Sequence, residues 1–388
     1  MAEILNTIED SMKLSAADPA ALIAMSGGVD SSVAARLVSE TGMRSMGCTM
    51  RLYENDMVGM DLLDTCCSLK DTRDARAVCE RLGIPYQIFH YEAEFRDKVI
   101  EPFVASYERG ETPNPCINCN KYLKFNRLYE KARELGFTHI VTGHYARICR
   151  ENGHFYLKKA VDRNKDQSYV LYDLTEEQLE RTLFPLGDYT KDQVRELALE
   201  MQFVNARKKE SQDICFVPDG DYAAMIRRFR KKKYEPGPIV DTSGKLLGTH
   251  EGIIGYTVGQ RRGLGVPADR RLYVVKVDIP NNTIVLGDNA DLFHRSLFVR
   301  EFHWITGELP KTEIRCRAKV RYRQAEQPAT LIPPEKEGGV AQLIFDEPQR
   351  AITPGQSAVC YAEDTVLGGG IIQGTEVTYP TFLKNVLT

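Results

Sequence analysis

The stretch Ala21-Leu-Ile-Ala-Met-Ser-Gly-Gly-Val-Asp-Ser-Ser-Val33 constrains this chain more than any other. Its apolar start, Ala21 to Met25, reads as a short buried strand, its middle as a tight glycine loop and its end as the first turn of a helix. Ser26, Gly27 and Gly28 let the backbone curl into a nest of N–H groups, because glycine tolerates φ > 0 and has no Cβ to block a ligand. Ser31 and Ser32 then fall at the helix N-terminus, where unpaired N–H groups and the helix dipole favour a phosphate. The lysine of a Walker A loop is absent, so this is not a standard P-loop. A bare Gly-Gly is more often a turn that binds nothing. All seven residues Ser26–Ser32 between strand and helix argue for the nest.

The pattern Ser-Gly-Gly-x-Asp-Ser-Ser resembles the PP-loop of ATP pyrophosphatases, enzymes that cleave ATP to AMP and pyrophosphate. Downstream, a helix is expected from Ser32 to Thr41 and a strand from Arg44 to Met50. A helix opening at Asp71, a strand Tyr86–His90 and a helix Phe95–Tyr107 follow. The turn-rich Gly110–Cys119 reads as a loop, ahead of a helix Lys121–Leu135 and a strand His139–Thr142. Strands alternating with helices at this spacing imply an α/β fold with a doubly wound parallel sheet, binding ligands at the C-terminal strand ends. The regime fades after a helix Lys191–Met201. From about Gly237, short β-branched runs dominate (Pro238–Val240, Gly252–Val258, Leu272–Val277, Thr283–Leu286), predicting a small central β-rich domain and then a C-terminal β-barrel. The expected domains are 1–222, 223–292 and 293–388.

At 388 residues, 43% hydrophobic and 27% charged, the chain has the composition of a globular protein of two or three domains. No apolar run approaches the roughly 20 residues of a membrane span. The stretch Met1–Pro19 lacks a basic-then-apolar signal pattern, so a cytoplasmic protein is expected. Ten cysteines in that setting suggest reactive or metal-binding thiols rather than a disulfide framework. A net charge of −3 gives no global sign of nucleic acid, which would need local basic patches.

Three constellations carry chemistry. Cys116 and Cys119 form a C-x-x-C, and Cys215 lies in Glu210-Ser-Gln-Asp-Ile-Cys-Phe-Val217 beside Arg207, Lys208 and Lys209, cations able to lower a thiol pKa. A four-cysteine zinc site would want a second C-x-x-C, which is absent, and Cys66-Cys67 are adjacent, which suits one tetrahedral ion poorly. The plain alternative for Cys215 is a buried hydrophobe between Ile214 and Phe216. Second, Thr142-Gly-His-Tyr-Ala146 ends a predicted parallel strand and is followed by Lys165-Asp-Gln-Ser-Tyr169; a lone histidine in such a place is more often structural than functional. Third, in Ile314-Arg-Cys-Arg-Ala-Lys-Val-Arg-Tyr-Arg323 a strand period of two puts Arg315, Arg317, Lys319, Arg321 and Arg323 on one face. Five cations and no anion suit a polyanion, with Tyr322 available for stacking. Ile226–Tyr234 and Gly259–Gly263 add basic surface.

Taken together these segments resemble the tRNA-specific 2-thiouridylases of the MnmA type from about Ala21 to the C-terminus. The resemblance rests on Met25–Ser32, Thr112-Pro-Asn-Pro-Cys-Ile-Asn-Cys-Asn120, Thr142–Ala146, Lys165–Tyr169, Ser211–Cys215, Tyr256–Arg261, Arg321–Arg323 and Pro354-Gly-Gln356. It implies a PP-loop catalytic domain, a small central domain and a terminal barrel, acting on uridine 34 of tRNA at C2. It further implies that Ala24, Met25, Ser26, Gly27, Gly28, Val29, Asp30, Ser31, Met50 and Gly143 hold ATP with Mg²⁺. Asn114, Pro115 and Cys116 would border the target base. His144, Lys165, Asp166, Gln167, Arg321, Tyr322 and Gln356 would contact tRNA. Asp30 is expected to assist Mg²⁺ or pyrophosphate. Cys119 and Cys215 would be the catalytic pair, fed by a sulfur donor (a cysteine desulfurase, a relay protein or sulfide). Many members carry Asp where this chain has Cys116. Two sulfur routes therefore stand open, a Cys215 persulfide resolved by Cys119, or an iron–sulfur cluster on Cys116, Cys119 and Cys215. From other classes, a PP-loop amidating ligase would want an ammonia source, and a non-catalytic RNA-binding protein would not need the nest or Cys215.

Overall fold

The computed structural model describes residues 19–53, 69–208, 214–217, 219–267, 269–305 and 309–375. Cys66, Cys67, Lys209 and residues 210–213 of the Cys215 segment lie outside them. The chain divides into two compact units, one made of residues to Pro102, Pro115–Phe229 and Asp364–Val366, the other of Phe103–Asn114, Arg230–Glu363 and the residues from Leu367.

The first unit holds β1 (Ala20–Ala24), α1 (Val29–Ser39), β2 (Arg44–Arg51), α2 (Leu69–Leu82), β3 (Tyr86–His90), α3 (residues 115–134), β4 (His139–Val141), β5 (Ala146–Glu151), β6 (His154–Lys159), β7 (Thr182–Leu183) and α4 (Lys191–Glu200). β1, β2, β3, β4 and β7 form the parallel sheet in the order β3-β2-β1-β4-β7. β1 lies between β2 and β4 and is covered on both faces, which is why Ala20–Ile23 is an uninterrupted buried apolar run. Val33 and Leu37 of α1, Val78 of α2 and Val194 of α4 join its core. Thr190 and Gln193 start α4 with a reciprocal capping box. The order reverses between β1 and β4, so the crevice at their C-terminal ends is the topological switch point.

The first unit departs from the sequence expectation in several places, α1 among them, which begins at Val29 and not at Ser32. The Lys121–Leu135 helix begins earlier, at Pro115, because proline has no N–H to leave unpaired in a first turn and its φ is already helical. Within α3, Cys119–Arg127 is wound as a wider π-type segment. β5 and β6 form an unexpected antiparallel hairpin around Asn152 and Gly153, at φ 52° and 87°.

In the second unit β8 (Gly237–Asp241), β9 (Leu246–His250), β10 (Tyr273–Asp278) and β11 (Thr283–Gly287) make a sheet in the order β10-β11-β8-β9. The expected strand Gly252–Val258 is instead a 3₁₀ turn at Ile253–Gly255. β12 (Phe293–Trp304), β13 (Ile314–Lys319), β14 (Gln327–Ile332), β15 (Ala341–Arg350), β16 (Ser357–Ala362) and β17 (Thr365–Gly374) follow, in the order β12-β15-β14-β13-β16-β17. β17 also pairs with β12, which closes an antiparallel six-stranded barrel around Leu297, Phe302, Ala318, Leu343 and Phe345.

Candidate active site

The loop after β1 is braced from within. Met25 N–H donates to the Cys48 carbonyl (2.7 Å), and Thr49 Oγ1 donates to the Met25 carbonyl (2.7 Å), so the chain leaves the sheet in a fixed direction beside the β2 end that carries Met50. Gly27 has φ +73°, and a Cβ there would lie 2.4 Å from the Asp71 carbonyl oxygen, so only glycine fits. Gly28 is the extended residue ahead of α1 and offers no side-chain cap. Ser31 and Ser32 turn back instead, both hydroxyls donating to the Gly28 carbonyl (3.1 and 3.0 Å), while Ser31 Oγ accepts from Ser26 N–H (3.2 Å). The serines thus shape the nest, and Ser32 is fully buried. Across the switch point, a Cβ on Gly143 would come within 2.8 Å of Ser31 N and 2.9 Å of Asp30 C. The end of β4 therefore runs against the first turn of α1, and Gly143 lies beside the loop.

Charges reach the loop from far along the chain. Asp30 Oδ1 accepts from Lys191 Nζ (2.7 Å) and Tyr145 OH (2.9 Å), and the Lys191 side chain is only 7% exposed. Asp30 was expected to serve Mg²⁺ or pyrophosphate; in this structure its Oδ1 also ties α4 and the Gly-His-Tyr segment to the loop. Lys208 Nζ donates to the Gly27 carbonyl (3.0 Å), to Asp71 and to Asp74 (2.9 Å). Burial opposes that charge, and the two carboxylates more than offset it, holding the ammonium pKa above its ordinary value. Lys208 is thereby committed to the loop and is not the cation expected to activate Cys215. Asn205 Nδ2 donates to the Gly27 carbonyl and to Ser32 Oγ, each at 2.9 Å. Sequence reasoning missed Lys191, Asn205, Asp71 and Asp74; its one available signal was the missing Walker lysine, which makes distant cations worth seeking.

The early start of α3 puts Cys116 in its first turn and Cys119 one turn on, at the beginning of the π-type segment. Cys116 is exposed, and Cys119 and Cys215 are half-buried. Cys215 is not a core hydrophobe. Its carbonyl accepts from Tyr53 OH (2.8 Å), and buried Phe216 beside it stacks edge-on against Phe95 (5.7 Å between centroids). Among the described residues no three His, Cys, Asp or Glu side chains are gathered to hold a metal ion. The three thiols accordingly do not form a ready ligand set for a cluster in this structure.

The residues expected to meet RNA divide into buried and accessible. His144 is 8% exposed, with Nδ1 2.7 Å from Thr142 Oγ1 and its ring 5.9 Å from those of Phe125 and Phe184. Burial and then the neighbouring Lys124 charge push its pKa well below the usual value, so it is neutral. Asp166, 6% exposed, accepts from Ala160 N–H and from both Ser168 N–H and its hydroxyl. Gln167 bonds the Tyr145 backbone twice (3.0 and 2.8 Å), and Lys165 is half-buried. Gln167 thus braces the Gly143–Tyr145 segment, while Asp166 fixes the turn between Ala160 and Ser168. In the second unit, Thr112 N–H donates to the Pro354 carbonyl (2.8 Å) and Gln356 Nε2 to the Thr112 carbonyl (2.7 Å), so Pro354–Gln356 fixes the start of the segment leading to Asn114.

The basic strand needs correction. β13 alternates as expected, with Cys316 and Ala318 inside, but it ends at Lys319, and Val320–Gln324 is a turn. Anions invisible within the strand come from its neighbours. Asp346 of β15 takes Arg315 in two bonds (2.8 and 2.7 Å), and Glu326, just before β14, faces Arg317 (3.7 Å). Arg321 Nη2 donates to the Val258 and Ala351 carbonyls and to Thr353 Oγ1 (3.2, 2.9 and 2.6 Å), while Tyr322 is half-buried and Arg323 exposed. The exposed positive face is narrower than five cations.

The family described as "tRNA methyl transferase HUP domain" matches residues 20–219, "tRNA methyl transferase PRC-barrel domain" residues 224–288 and "Aminomethyltransferase beta-barrel domain" residues 294–372. The "tRNA-specific 2-thiouridylase MnmA" of Clostridioides difficile (strain 630) is 47% identical over 354 residues, covering 91% of this chain and 97% of its own length. The protein of that name from Moorella thermoacetica is 49% identical over 355 residues, 91% of this chain and 99% of its own. That from Clostridium acetobutylicum is 44% identical over 352 residues, with the same coverages of 91% and 99%.

Proposed function

The chain belongs to the family of MnmA-type tRNA-specific 2-thiouridylases, and from that membership we propose that it catalyses ATP-dependent 2-thiolation of uridine 34 in the tRNA wobble position. The observation that carries the proposal to these residues is the nest itself, Gly27 at φ +73° with Gly143 closed against the first turn of α1 at the switch point. Ala24–Ser31, Met50 and Gly143 hold ATP, whose Mg²⁺ accompanies the triphosphate. The C2 oxygen of uridine is a poor leaving group. Attack of that oxygen on the α-phosphate forms the O-adenylyl base and releases pyrophosphate from the nest.

Sulfur then arrives as a persulfide on Cys215, loaded by a desulfurase, a relay protein or sulfide with an oxidant. Its terminal sulfur attacks C2 and AMP departs. Cys119 thiolate next attacks the Cys215 sulfur, forming a Cys119–Cys215 disulfide and leaving the second sulfur on the base as the thiocarbonyl. An external thiol reductant returns both cysteines. Dividing the substitution in this way replaces one hard step by two easier ones. Tyr53 holds the Cys215 backbone for this exchange. Because Cys116, Cys119 and Cys215 are not gathered as ligands, no step is derived through an iron–sulfur cluster, and Cys116 borders the base with Asn114 and Pro115. A tRNA substrate suits a cytoplasmic enzyme; no helix among the described residues is long and apolar enough to cross a membrane.

The test is pyrophosphate release with and without tRNA, beside thiouridine formation and iron content. Wild type releases pyrophosphate only with tRNA, Asp30→Ala does not, and Cys116→Ser thiolates at a substantial rate. Release without tRNA, or none with it, overturns the reaction. A Cys116→Ser protein that loses iron and thiolation together overturns the persulfide route alone.

A further inference from the structure

The Gly27–Gly28 peptide lies between two residues without side chains, and within the loop only a long bond from Gly28 N–H to Ser26 Oγ (3.4 Å) is recorded on it. Its orientation decides whether an anion at the loop meets an N–H or a carbonyl oxygen, since the two point opposite ways from one peptide plane. In the structure the Gly27 carbonyl is taken by two donors from one distant segment, Asn205 Nδ2 (2.9 Å) and Lys208 Nζ (3.0 Å).

Counting donors shows what those side chains do. An ammonium has three protons, and Lys208 has three acceptors, the Gly27 carbonyl, Asp71 Oδ1 and Asp74 Oδ2. No proton is left over for a phosphate, so Lys208 does not take the place of a Walker lysine on the ligand. The two protons of Asn205 Nδ2 are likewise used, by Gly27 O and Ser32 Oγ. Asn205 is 3% exposed and its Oδ1 has no hydrogen-bond partner among the described residues. An amide kept in that orientation despite an unsatisfied buried acceptor is being held by what its nitrogen does.

We propose that Asn205 and Lys208, fixed by Asp71 and Asp74, are positioning residues for the pyrophosphate-releasing step. They keep the Gly27 carbonyl turned away from the ligand so that the following N–H groups stay aimed at the triphosphate. This rests on the reading of the loop as the ATP site. It also explains why a loop lacking its own lysine needs a cation supplied from nearly two hundred residues away, one that acts on the backbone and not on the nucleotide.

The variants are Lys208→Met, Lys208→Arg and Asn205→Ala, read by KM for ATP, kcat of tRNA-dependent pyrophosphate release, and inhibition by pyrophosphate and by AMP. Losing a charged hydrogen bond that orients the nest corresponds to roughly 10–100-fold in kcat/KM. Lys208→Met should raise KM for ATP and weaken pyrophosphate inhibition by about that factor, with AMP inhibition and tRNA affinity within twofold of wild type. Lys208→Arg should recover part of the loss. Asn205→Ala, which leaves the Lys208–Asp71–Asp74 group intact and decides the matter if Lys208→Met does not fold, should shift the same two constants by roughly 3–10-fold. A general structural lesion would lower the active fraction without separating pyrophosphate from AMP. Folded variants with wild-type pyrophosphate inhibition and ATP KM overturn the inference while leaving the ATP site standing. A wild type that neither binds pyrophosphate nor releases it from ATP overturns the reading beneath it.

Discussion

Breaking the Asp30–Lys191 pair should cost very different amounts depending on which partner is removed. Lys191 is 7% exposed and Asp30 is 32% exposed, with Tyr145 OH as a second donor to the carboxylate. In Lys191→Met the carboxylate keeps the tyrosine and can draw water to its exposed side, while methionine refills most of the space of the lysine stem. The loss of one charge-assisted bond, partly offset, comes to about 1–2 kcal/mol. In Asp30→Ala the ammonium stays where water hardly reaches and loses the carboxylate it donates to at 2.7 Å, and removing one partner of a buried ion pair costs about 3–5 kcal/mol. The double variant Asp30→Ala/Lys191→Met carries no stranded charge and should be more stable than Asp30→Ala alone by about 2 kcal/mol. Because a chain of two units need not unfold in one step, the measurement is hydrogen exchange of the α1 and α4 amides rather than a global melt. A double variant no more protected than Asp30→Ala, or a Lys191→Met variant that exchanges as fast as Asp30→Ala, would refute the electrostatic account of how these two helices are joined at the loop.

Two further outcomes follow from the first unit. Tyr53→Phe removes the hydroxyl that holds the Cys215 carbonyl and should slow thiolation by roughly 2–10-fold while leaving tRNA-dependent pyrophosphate release unchanged, and an equal fall in both steps would show that Tyr53 acts on the fold as a whole. His139 has its pKa lowered to about 4, by burial first and the Arg181 charge second. Below pH 6.5 the unfolded chain therefore binds a proton that the folded chain refuses, so stability is full above that pH and falls toward pH 4, by up to about 1.4 kcal/mol for each pH unit. His144 acts in the same direction. His139→Gln should flatten the loss of β4 amide protection between pH 6.5 and 5, above the range where most carboxylates titrate, and an unchanged slope would assign it to other groups.

What was legible in the sequence is what depends on neighbours in the chain. Strand, glycine loop and helix could be read from Ala21–Val33 because a buried strand, a positive φ and a helix start are local demands. The alternating parallel sheet followed from spacing for the same reason. The Asn152-Gly153 hairpin was equally local, and was passed over although Asn-Gly at two positive φ values is the strongest short signal for such a turn. Pro115 shows one residue with opposite meanings. Among Thr-Pro-Asn-Pro it reads as loop, yet a proline also suits the first turn of a helix, and only packing chooses.

Charge is where local reading fails, and it fails in one direction. Arg315 and Arg317 look unopposed along β13, and their carboxylates come from beside or within β14 and β15. Lys208 looks like company for Cys215, seven residues on, and instead binds Gly27, Asp71 and Asp74. Lys191 reads as an ordinary helix start and lies buried on Asp30. A long cationic side chain reaches several ångströms, so its partner is chosen by the tertiary neighbourhood and sequence distance carries little information. Apolar patterning has no such freedom, because the period of the element fixes which face is buried. In this chain the consequence is specific. The loop proposed to hold the phosphates is written in one stretch, whereas the groups that bond to it, directly or through Lys208, come from residues 71, 74, 191, 205 and 208, so substitutions there should alter nucleotide use without touching a recognisable nucleotide motif.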